Sequence, residues 1–466
     1  MEKKSFDLAI IGAGPGGYVA AIKGAQLGLK VALIEKSFVG GTCLNVGCIP
    51  TKCLLSHAQA LTDIKEAKKY HIDVDKVSFD YGQMVNTKNR VVNDLRKGLN
   101  QLILSNQVTI FQGEAKFTSP KELKILGKDN LLLDAKKIII ASGSESIDIP
   151  SFPFDCHRIH SSTSILCITH LPSSLIIIGG GYIGCEFASL FSDLGVKITI
   201  IEALPSLLAT QEALIANELT RLFKKRGMDI RLNTKVEHIE KKESSLTAHL
   251  SDGSTIDGEM ALVCVGRRAY TENLDLQKAG LGTTDRGAIV VNEKMETGVL
   301  GIYAIGDVTG KWMLAHVASH QGQIAAINAA GGASHMSYHA IPSVVFSNPQ
   351  IASVGLTLEE AQKENPAAAL SVFPLQALGK AQATLDTTGF AAIIADAKTG
   401  QIFGAHMIGK EAASLIGEMA VAIQNELTLH SIIETVHTHP TLAELWLEVS
   451  LLANQTPLHL PPKKSR

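Results

Sequence analysis

The sequence predicts an α/β fold: two units of one strand–turn–helix–strand design, followed by a C-terminal α+β segment. Short uninterrupted apolar runs, Leu8–Ile11 and Leu175–Ile178, read as strands buried on both faces of a parallel sheet. Each run leads into a glycine-rich turn and then a helical stretch. The pattern occurs twice with one geometry, because Gly12 to Glu35 and Gly179 to Glu202 each span 23 positions. From about residue 341 strands and helices alternate without such turns, as in an α+β segment.

The first unit opens with a strand at Asp7–Ile11, a turn at Gly12–Gly17 and a helix from Tyr18 to Leu27, closed by Gly28 as C-cap. Its second strand, Lys30–Glu35, completes a βαβ unit of about 30 residues. Tyr81–Asn106 is mostly helical, and Lys137–Ala141 is a strand leading into Ser142-Gly143-Ser144. Pro150, Pro153 and Pro172 mark turns near a boundary. The second unit has a strand at Leu175–Ile178, a turn at Gly179–Gly184, a helix at Cys185–Leu194 stopped by Gly195, and a strand at Val196–Ile201. A helix at Glu212–Arg226 and several strand-like runs to Val265 follow, then a strand at Val299–Ile305 before Gly306-Asp307. In the last segment Gln350–Gly355 and Phe390–Asp396 read as strands, and 358–363 and 411–426 as helices. Lys463-Lys464-Ser465-Arg466 reads as a solvated basic end.

Composition narrows the function. Of 466 residues 45% are apolar and 19% charged, which excludes disorder as the main state and predicts two to four domains. A formal charge of −2 argues against nucleic acid or an anionic membrane as main partner. Seven cysteines, sparse and odd in number, argue against a secreted disulfide framework. The apolar run Leu8–Ile22 is broken by glycines and a proline and falls short of the roughly 18–20 residues of a membrane span. A cytoplasmic protein without membrane or targeting segments is expected.

A Gly-x-Gly-x-x-Gly turn lets the backbone approach a pyrophosphate, which then sits at a helix N-terminus among free N–H groups. Strand, turn, helix and acidic end agree in both units, so two dinucleotide sites are expected, with Glu35 and Glu202 on ribose hydroxyls. Alone, either turn would read as a plain glycine turn. Glu202 repels a 2′-phosphate, and Ala203-Leu204-Pro205-Ser206 supplies no cation, so the second site favours NAD over NADP.

Cys43 and Cys48 follow the first unit closely. On a straight helix they would lie about 7.5 Å apart along the axis, beyond the roughly 4.4–6.8 Å Cα span of a disulfide. A bridge therefore needs a turn, which Gly47 can supply. Pro50 suits the first turn of a helix, which places Cys48 just before an N-terminus that stabilises a thiolate. The alternative is two ordinary buried cysteines, the reading given to Cys53, Cys156, Cys167, Cys185 and Cys264. Lys52 on residues alone reads as a solvated helix lysine. One of 16 histidines is weak evidence, and His437 with His439 lacks the further ligands of a metal site; no metal is expected.

The run Gly40-Gly41-Thr42-Cys43-Leu44-Asn45-Val46-Gly47-Cys48-Ile49-Pro50-Thr51-Lys52 resembles the redox-active segment of the FAD-dependent pyridine nucleotide–disulfide oxidoreductases. The resemblance spans residues 5–450 in family order. It includes Ala141–Ser144, Val265–Arg268, Ala304–Asp307, Ser353–Thr357 and His439–Glu444. It implies two Rossmann-like domains, FAD-binding at 1–145 and NAD-binding at 146–265. A central domain at 266–340 completes the FAD site, and 341–466 is an interface domain of a homodimer.

By the resemblance FAD is bound by the first turn (Gly12, Gly14, Pro15, Gly16, Gly17) with Glu35 and Lys36. Gly41, Thr42 and Lys52 border it, as do Ala141, Ser142 and Gly143. Gly306 and Asp307 complete the site, Asp307 near ribitol and phosphate. NAD is bound by Gly179, Gly181, Tyr182, Ile183 and Gly184 with Glu202, Gly266 and Arg267. Cys43 and Cys48 are implied as the redox disulfide, Cys43 meeting substrate and Cys48 facing the flavin. Lys52 and Glu186 are implied as an ion pair beside the flavin. His439 is implied as acid and base, oriented by Glu444, serving the other subunit's disulfide.

The nearest branch of the family reoxidises dihydrolipoyl groups, so the expected partners are lipoyl domains of a 2-oxo acid dehydrogenase complex or a glycine cleavage H-protein. The alternatives are a glutathione- or mercuric-reductase-like enzyme, or a non-catalytic FAD scaffold. Glu202 argues against the first, the lack of cysteine in Leu458–Arg466 against the second, and the intact catalytic set against the third. Two departures stand out. Leu378 and Lys380 replace a polar residue and an arginine, and Tyr182 replaces a small aliphatic residue and is expected to cover the flavin until NAD arrives.

Overall fold

Residues 1–461 are described by the computed structural model; the basic end Lys463–Arg466 lies outside the described residues. The first unit consists of β1 (Glu2–Ile11), α1 (Pro15–Gln26) and β2 (Val31–Glu35), with β2 buried at every position. β1 and β2 pair in parallel, Leu8 opposite Val31. Helix α1 starts three residues earlier than the apolar pattern indicates, with Pro15 in its first turn. Gly16 and Gly17 therefore belong to the helix, where their missing side chains let it pack close to the strand ends.

A break at Gly47 separates α2 (Gly41–Val46) from α3 (Cys48–Glu66), and α4 (Tyr81–Ser105) packs back on α3. Three strands follow: β3 (Thr109–Ser119), β4 (Glu122–Gly127) and β5 (Leu131–Ile140). Only the end of β5 was legible, because β3, β4 and the first half of β5 alternate buried and less buried residues. The parallel sheet runs β3–β2–β1–β5 and adds the strand Ile302–Ala304 beside β5. β4 lies antiparallel between the second half of β3 and the first half of β5. β1 extends back to Glu2 because that stretch pairs with Leu131–Asp134, a partner no local pattern reveals.

The next region contains β6 (Ser144–Ser146), β7 (Ile159–His160), β8 (Ser174–Ile178), α5 (Tyr182–Asp193), β9 (Lys197–Ile201), α6 (Ala213–Lys225) and β10 (Asp229–Arg231). It continues with β11 (Val236–Lys241), β12 (Leu246–Leu250), β13 (Thr255–Gly258), β14 (Met260–Val263) and β15 (Arg267–Ala269). Its parallel sheet has the order β10-β9-β8-β14-β7. As in the first unit, α5 begins three residues before its apolar pattern, at Tyr182. β15 pairs with β6 and carries Arg267 back to Ser146 of the first region's exit.

β16 (Ile302–Ala304) leads through a short 3-10 turn to α7 (Ala315–Ala329), a helix the sequence reading did not contain. It packs along α1. A methyl group on Gly322 would stand 2.5 Å from the Gly16 oxygen, so glycine is what permits this contact.

The last region is an antiparallel sheet of order β17-β18-β21-β20-β19, formed by β17 (Ser343–Val345), β18 (Gln350–Gly355), β19 (Ala368–Pro374), β20 (Phe390–Asp396) and β21 (Ile402–Gly409). α8 (Leu358–Glu364) starts at a Thr357–Glu360 capping box. After the short α9 (Gly379–Ala383), α10 (Ala412–Gln424), α11 (Leu429–Glu434) and α12 (Glu444–Ala453) complete the region. Trp446 on α12 is fully buried, and its indole N–H donates to Leu415 O at 3.0 Å.

Candidate active site

The two glycine turns have matching geometry. A methyl group on Gly17 would lie 1.8 Å from Gly12 O, and one on Gly184 2.0 Å from Gly179 O. Gly12 (φ +99°) abuts Ala141 O, and Gly179 (φ +106°) abuts Cys264 O. In front of the helices the space is open. The N-cap residues Gly14 and Gly181 supply no side-chain cap, and a methyl group on Gly181 or Gly143 would touch nothing within 4 Å. Uncapped amides facing open space suit a pyrophosphate, so the residues fit a dinucleotide at each turn.

Each acidic strand end is fixed by backbone amides. Glu35 accepts from Ala13 N at 2.8 Å and Ser37 N at 2.8 Å. Glu202 accepts from Gly180 N at 2.6 Å and Leu204 N at 2.7 Å. Carboxylate oxygens have further lone pairs, so ribose hydroxyls remain compatible with both. The Lys36 ammonium sits 3.6 Å from the centre of the Tyr270 ring. Ser142 donates to Tyr270 O at 2.6 Å. Ile183 is partly buried against the core of the second unit, and Gly266 O accepts from Ile147 N at 3.2 Å.

Arg267 reaches across to the Ser144–Asp307 cluster. Its guanidinium donates to Ser144 Oγ at 2.7 Å and Ser144 O at 2.7 Å and lies 4.0 Å from Asp307. β15 pairs with β6, which brings this guanidinium to Asp307, one of the groups assigned to FAD. Ser144 Oγ donates to Asp307 at 2.5 Å, and burial pushes the Asp307 carboxyl up. Gly306 N donates to Gln321 Oε1 at 2.6 Å, and Gln321 Nε2 donates to Tyr338 OH at 2.9 Å. Gln321 is fully buried on α7 and was missed, since it lies in an alanine-rich run without a motif.

The cysteine pair is built on the α2–α3 break. Gly41 (φ +56°) packs against Gly14, where a methyl group would stand 2.6 Å from the Gly14 Cα. This seats Thr42 and Cys43 beside the first turn. Asn45 holds the segment by donating to Val39 O at 3.0 Å and Gly41 O at 2.8 Å, and Arg96 donates to its carbonyl at 2.9 Å. Neither Asn45 nor Arg96 had been singled out. The backbone turns at Gly47, and Cys48 becomes the first residue of α3 rather than the residue before it. Both cysteines are partly enclosed, and their sulfurs are close enough for each to shift the acidity of the other.

The pair is electrostatically unequal. The Cys43 hydrogen bond pulls the Cys48 thiol down to about 7 against the opposing effect of burial, with help from Lys52. The same hydrogen bond, together with burial, pushes Cys43 up. The surroundings therefore favour the thiolate on Cys48. The sign follows directly: raising the pH through about 7 ionises Cys48. Alkylation of the dithiol form by iodoacetamide is expected to accelerate through that pH, not near the ordinary thiol value of about 8.5. A rate that rises only above about pH 8 would contradict it.

Lys52 is not a solvated lysine. Its ammonium bridges both Glu186 oxygens, at 2.9 and 2.8 Å, and lies 4.4 Å from the Phe346 ring centre. Phe346 N donates to the same carboxylate at 3.0 Å. Of the other cysteines, Cys185 is buried, Cys53 and Cys264 are partly enclosed, and burial raises all three thiols. Cys156 and Cys167 are exposed, contrary to expectation, because Cys156 lies in a surface bend and Cys167 ends the short 3-10 helix Ser164–Cys167.

His439 Nδ1 lies 2.8 Å from Glu444 Oε1, and Thr441 N donates to the other oxygen at 2.9 Å. Burial raises the Glu444 carboxyl, but these two hydrogen bonds outweigh it and hold it below the usual range. The imidazole side chain is 77% exposed. Within one chain no hydrogen bond or ion pair of the described residues joins it to Cys43, Cys48, Lys52 or Glu186. His437 is turned to Glu418 at 3.0 Å and Thr435 O at 2.9 Å. Leu378 is buried, the physical reason an apolar residue fits there.

The family "Pyridine nucleotide-disulphide oxidoreductase" matches residues 6–322, and its dimerisation domain matches 341–449. A dihydrolipoyl dehydrogenase of Chlamydia pneumoniae is 50% identical over 460 residues, covering 99% of both chains. One from Geobacillus stearothermophilus is 39% identical over 97% of both chains. Among solved structures, LpdA from Mycobacterium tuberculosis superimposes with TM-score 0.90 at 26% identity, covering 97% of this chain and 99% of that one. The flavoprotein disulfide reductase RclA from Escherichia coli gives TM-score 0.86 at 30% identity, covering 96% and 99%. The matched dimerisation domain supports a homodimer, and among the described residues no helix is long and apolar enough to cross a membrane. With both family domains matched and relatives alike over their whole length, the chain belongs to the pyridine nucleotide-disulphide oxidoreductases.

Proposed function

We propose that the protein is a dihydrolipoyl dehydrogenase: it oxidises protein-bound dihydrolipoyl groups and passes the electrons to NAD. The observation that carries this is the placement of Cys43 and Cys48 on the two sides of the Gly47 break, with Cys48 one turn of α3 before the Lys52–Glu186 ion pair. The full-length likeness to dihydrolipoyl dehydrogenases supports the substrate. FAD, when bound, supplies the two-electron relay between the thiols and NAD. Residues 1–145 are its proposed domain, with 266–340 completing it, 146–265 the NAD domain and 341–466 the interface domain.

In the reaction proposed, a substrate thiolate attacks Cys43 Sγ of the oxidised pair. A substrate–Cys43 disulfide forms, the Cys43–Cys48 bond breaks, and Cys48 leaves as thiolate. The second substrate thiol, deprotonated by His439, attacks the mixed disulfide. The substrate closes its own disulfide, the substrate–Cys43 bond breaks, and Cys43 leaves as a thiolate that takes the proton from the His439 imidazolium. Glu444 fixes the His439 tautomer and supports the imidazolium. The exposed imidazole of one subunit serves the cysteine pair of the other, which requires the homodimer. Lys52, fixed by Glu186, stabilises the Cys48 thiolate. Lipoyl domains of a 2-oxo acid dehydrogenase complex or a glycine cleavage H-protein are the proposed partners, in the cytoplasm.

The test is steady-state turnover of dihydrolipoamide and of reduced glutathione, each with NAD and NADP. Dihydrolipoamide with NAD is expected to be the productive pair. Activity with glutathione and NADP alone would overturn the assignment. Glu202→Gln is expected to lower kcat/KM for NAD roughly tenfold to a hundredfold, the effect of losing a hydrogen bond to a charged group. An unchanged value would remove Glu202 from the ribose.

A further inference from the structure

Tyr182 is the first residue of α5, at the mouth of the second glycine turn and one helical turn before Glu186. Its hydroxyl is not free: it accepts from the side-chain amide of Gln211. Gln211 lies on the loop between β9 and α6 and is 9% exposed. The same amide donates to Ser343 Oγ at 3.2 Å, and its carbonyl accepts from Ser353 Oγ at 2.5 Å. Ser343 and Ser353 are both buried and are cross-strand neighbours of β17 and β18. The neighbouring Glu212 accepts from Leu358 N at 2.9 Å, so two successive residues fasten this loop to the 341–449 region. A buried amide satisfied on both its ends by fixed hydroxyls has one orientation. It therefore fixes the Tyr182 phenol as well.

We propose that Gln211 is a positioning residue for the NAD site, orienting Tyr182 and making that orientation depend on the β17–β18 hairpin. The phenol is held toward Gln211 rather than left to swing across the turn, so the nicotinamide end meets a preformed wall. The proposal rests on the second turn being the NAD site.

The test compares wild type, Gln211→Leu, Tyr182→Phe and the double variant. In a reaction of two half-reactions, kcat/KM for each substrate reports its own half. Gln211→Leu is expected to lower kcat/KM for NAD roughly threefold to tenfold, the effect of one buried hydrogen bond, and to leave kcat/KM for dihydrolipoamide unchanged. Tyr182→Phe is expected to lower the NAD value by a similar factor. The double variant should lose no more than the larger single effect, because both act through one contact. Additive losses, or equal losses for both substrates, overturn the proposal. If Gln211→Leu fails to fold, Tyr182→Phe decides alone, and an unchanged NAD value overturns it. Wild-type protein without NAD-dependent turnover would instead overturn the NAD site itself.

Discussion

A Cys48→Ser variant is expected to lose dihydrolipoamide–NAD turnover by roughly 10⁴-fold or more, the scale seen when one member of a catalytic unit is removed, while still binding FAD. Serine cannot form the sulfur–sulfur bond that receives electrons, and its hydroxyl does not ionise near neutral pH. The flavin site should survive, because Cys48 packs no glycine turn and its neighbours Asn45 and Gly41 hold the α2 segment without it. Cys43→Ser should abolish the same turnover for a different reason: the sulfur that meets substrate is gone, although Cys48 keeps Lys52 beside it. Steady-state turnover with flavin content measured on the same samples checks both. Either variant retaining more than about a hundredth of wild-type turnover would remove the pair from the mechanism.

The second large effect lies at the exposed imidazole. His439→Gln is expected to lower kcat/KM for dihydrolipoamide by roughly 10²–10⁴-fold, the usual contribution of a general acid or base. Glu444→Gln should cost less, roughly tenfold to a hundredfold, because it removes a charged hydrogen-bond partner and leaves the imidazole in place. The arrangement across subunits has a sharper readout. Cys48→Ser and His439→Gln homodimers should each be nearly inactive. Co-expressed, they form heterodimers in which one site has both a native Cys48 and a native His439. Turnover recovered only on co-expression supports the crossed arrangement; no recovery, with heterodimers demonstrated, would place cysteine and histidine in one subunit.

Much of the fold was legible because its signals are local. The runs Leu8–Ile11 and Leu175–Ile178 are uninterrupted because parallel strands are buried on both faces, and the glycines are demanded by backbone contacts within a few residues. The strands Gln350–Gly355 and Phe390–Asp396 came out to the residue. The β3–β4–β5 meander did not, because one face of each strand is less buried and the charged residues dilute the apolar pattern. Helix α7 was missed since small residues, chosen for close packing on α1, carry no amphipathic signal.

The sequence by itself determined the chemistry available: two pyrophosphate turns, their acidic strand ends, a cysteine pair with a flexible glycine between, and a histidine followed by a glutamate. These are patterns of a few residues, and their constraints act through the local backbone. Only the tertiary structure decided which groups meet. It brought Lys52 to Glu186 over 134 positions, Arg267 to Ser144 over 123, and Gln211 to Ser353 over 142. The helix N-terminus already pointed to Cys48 for the thiolate, and the tertiary structure added Lys52 and the Cys43 sulfur to the charges and hydrogen bonds that set its acidity. Those surroundings are set by sheet order and helix packing, which no short stretch of sequence records.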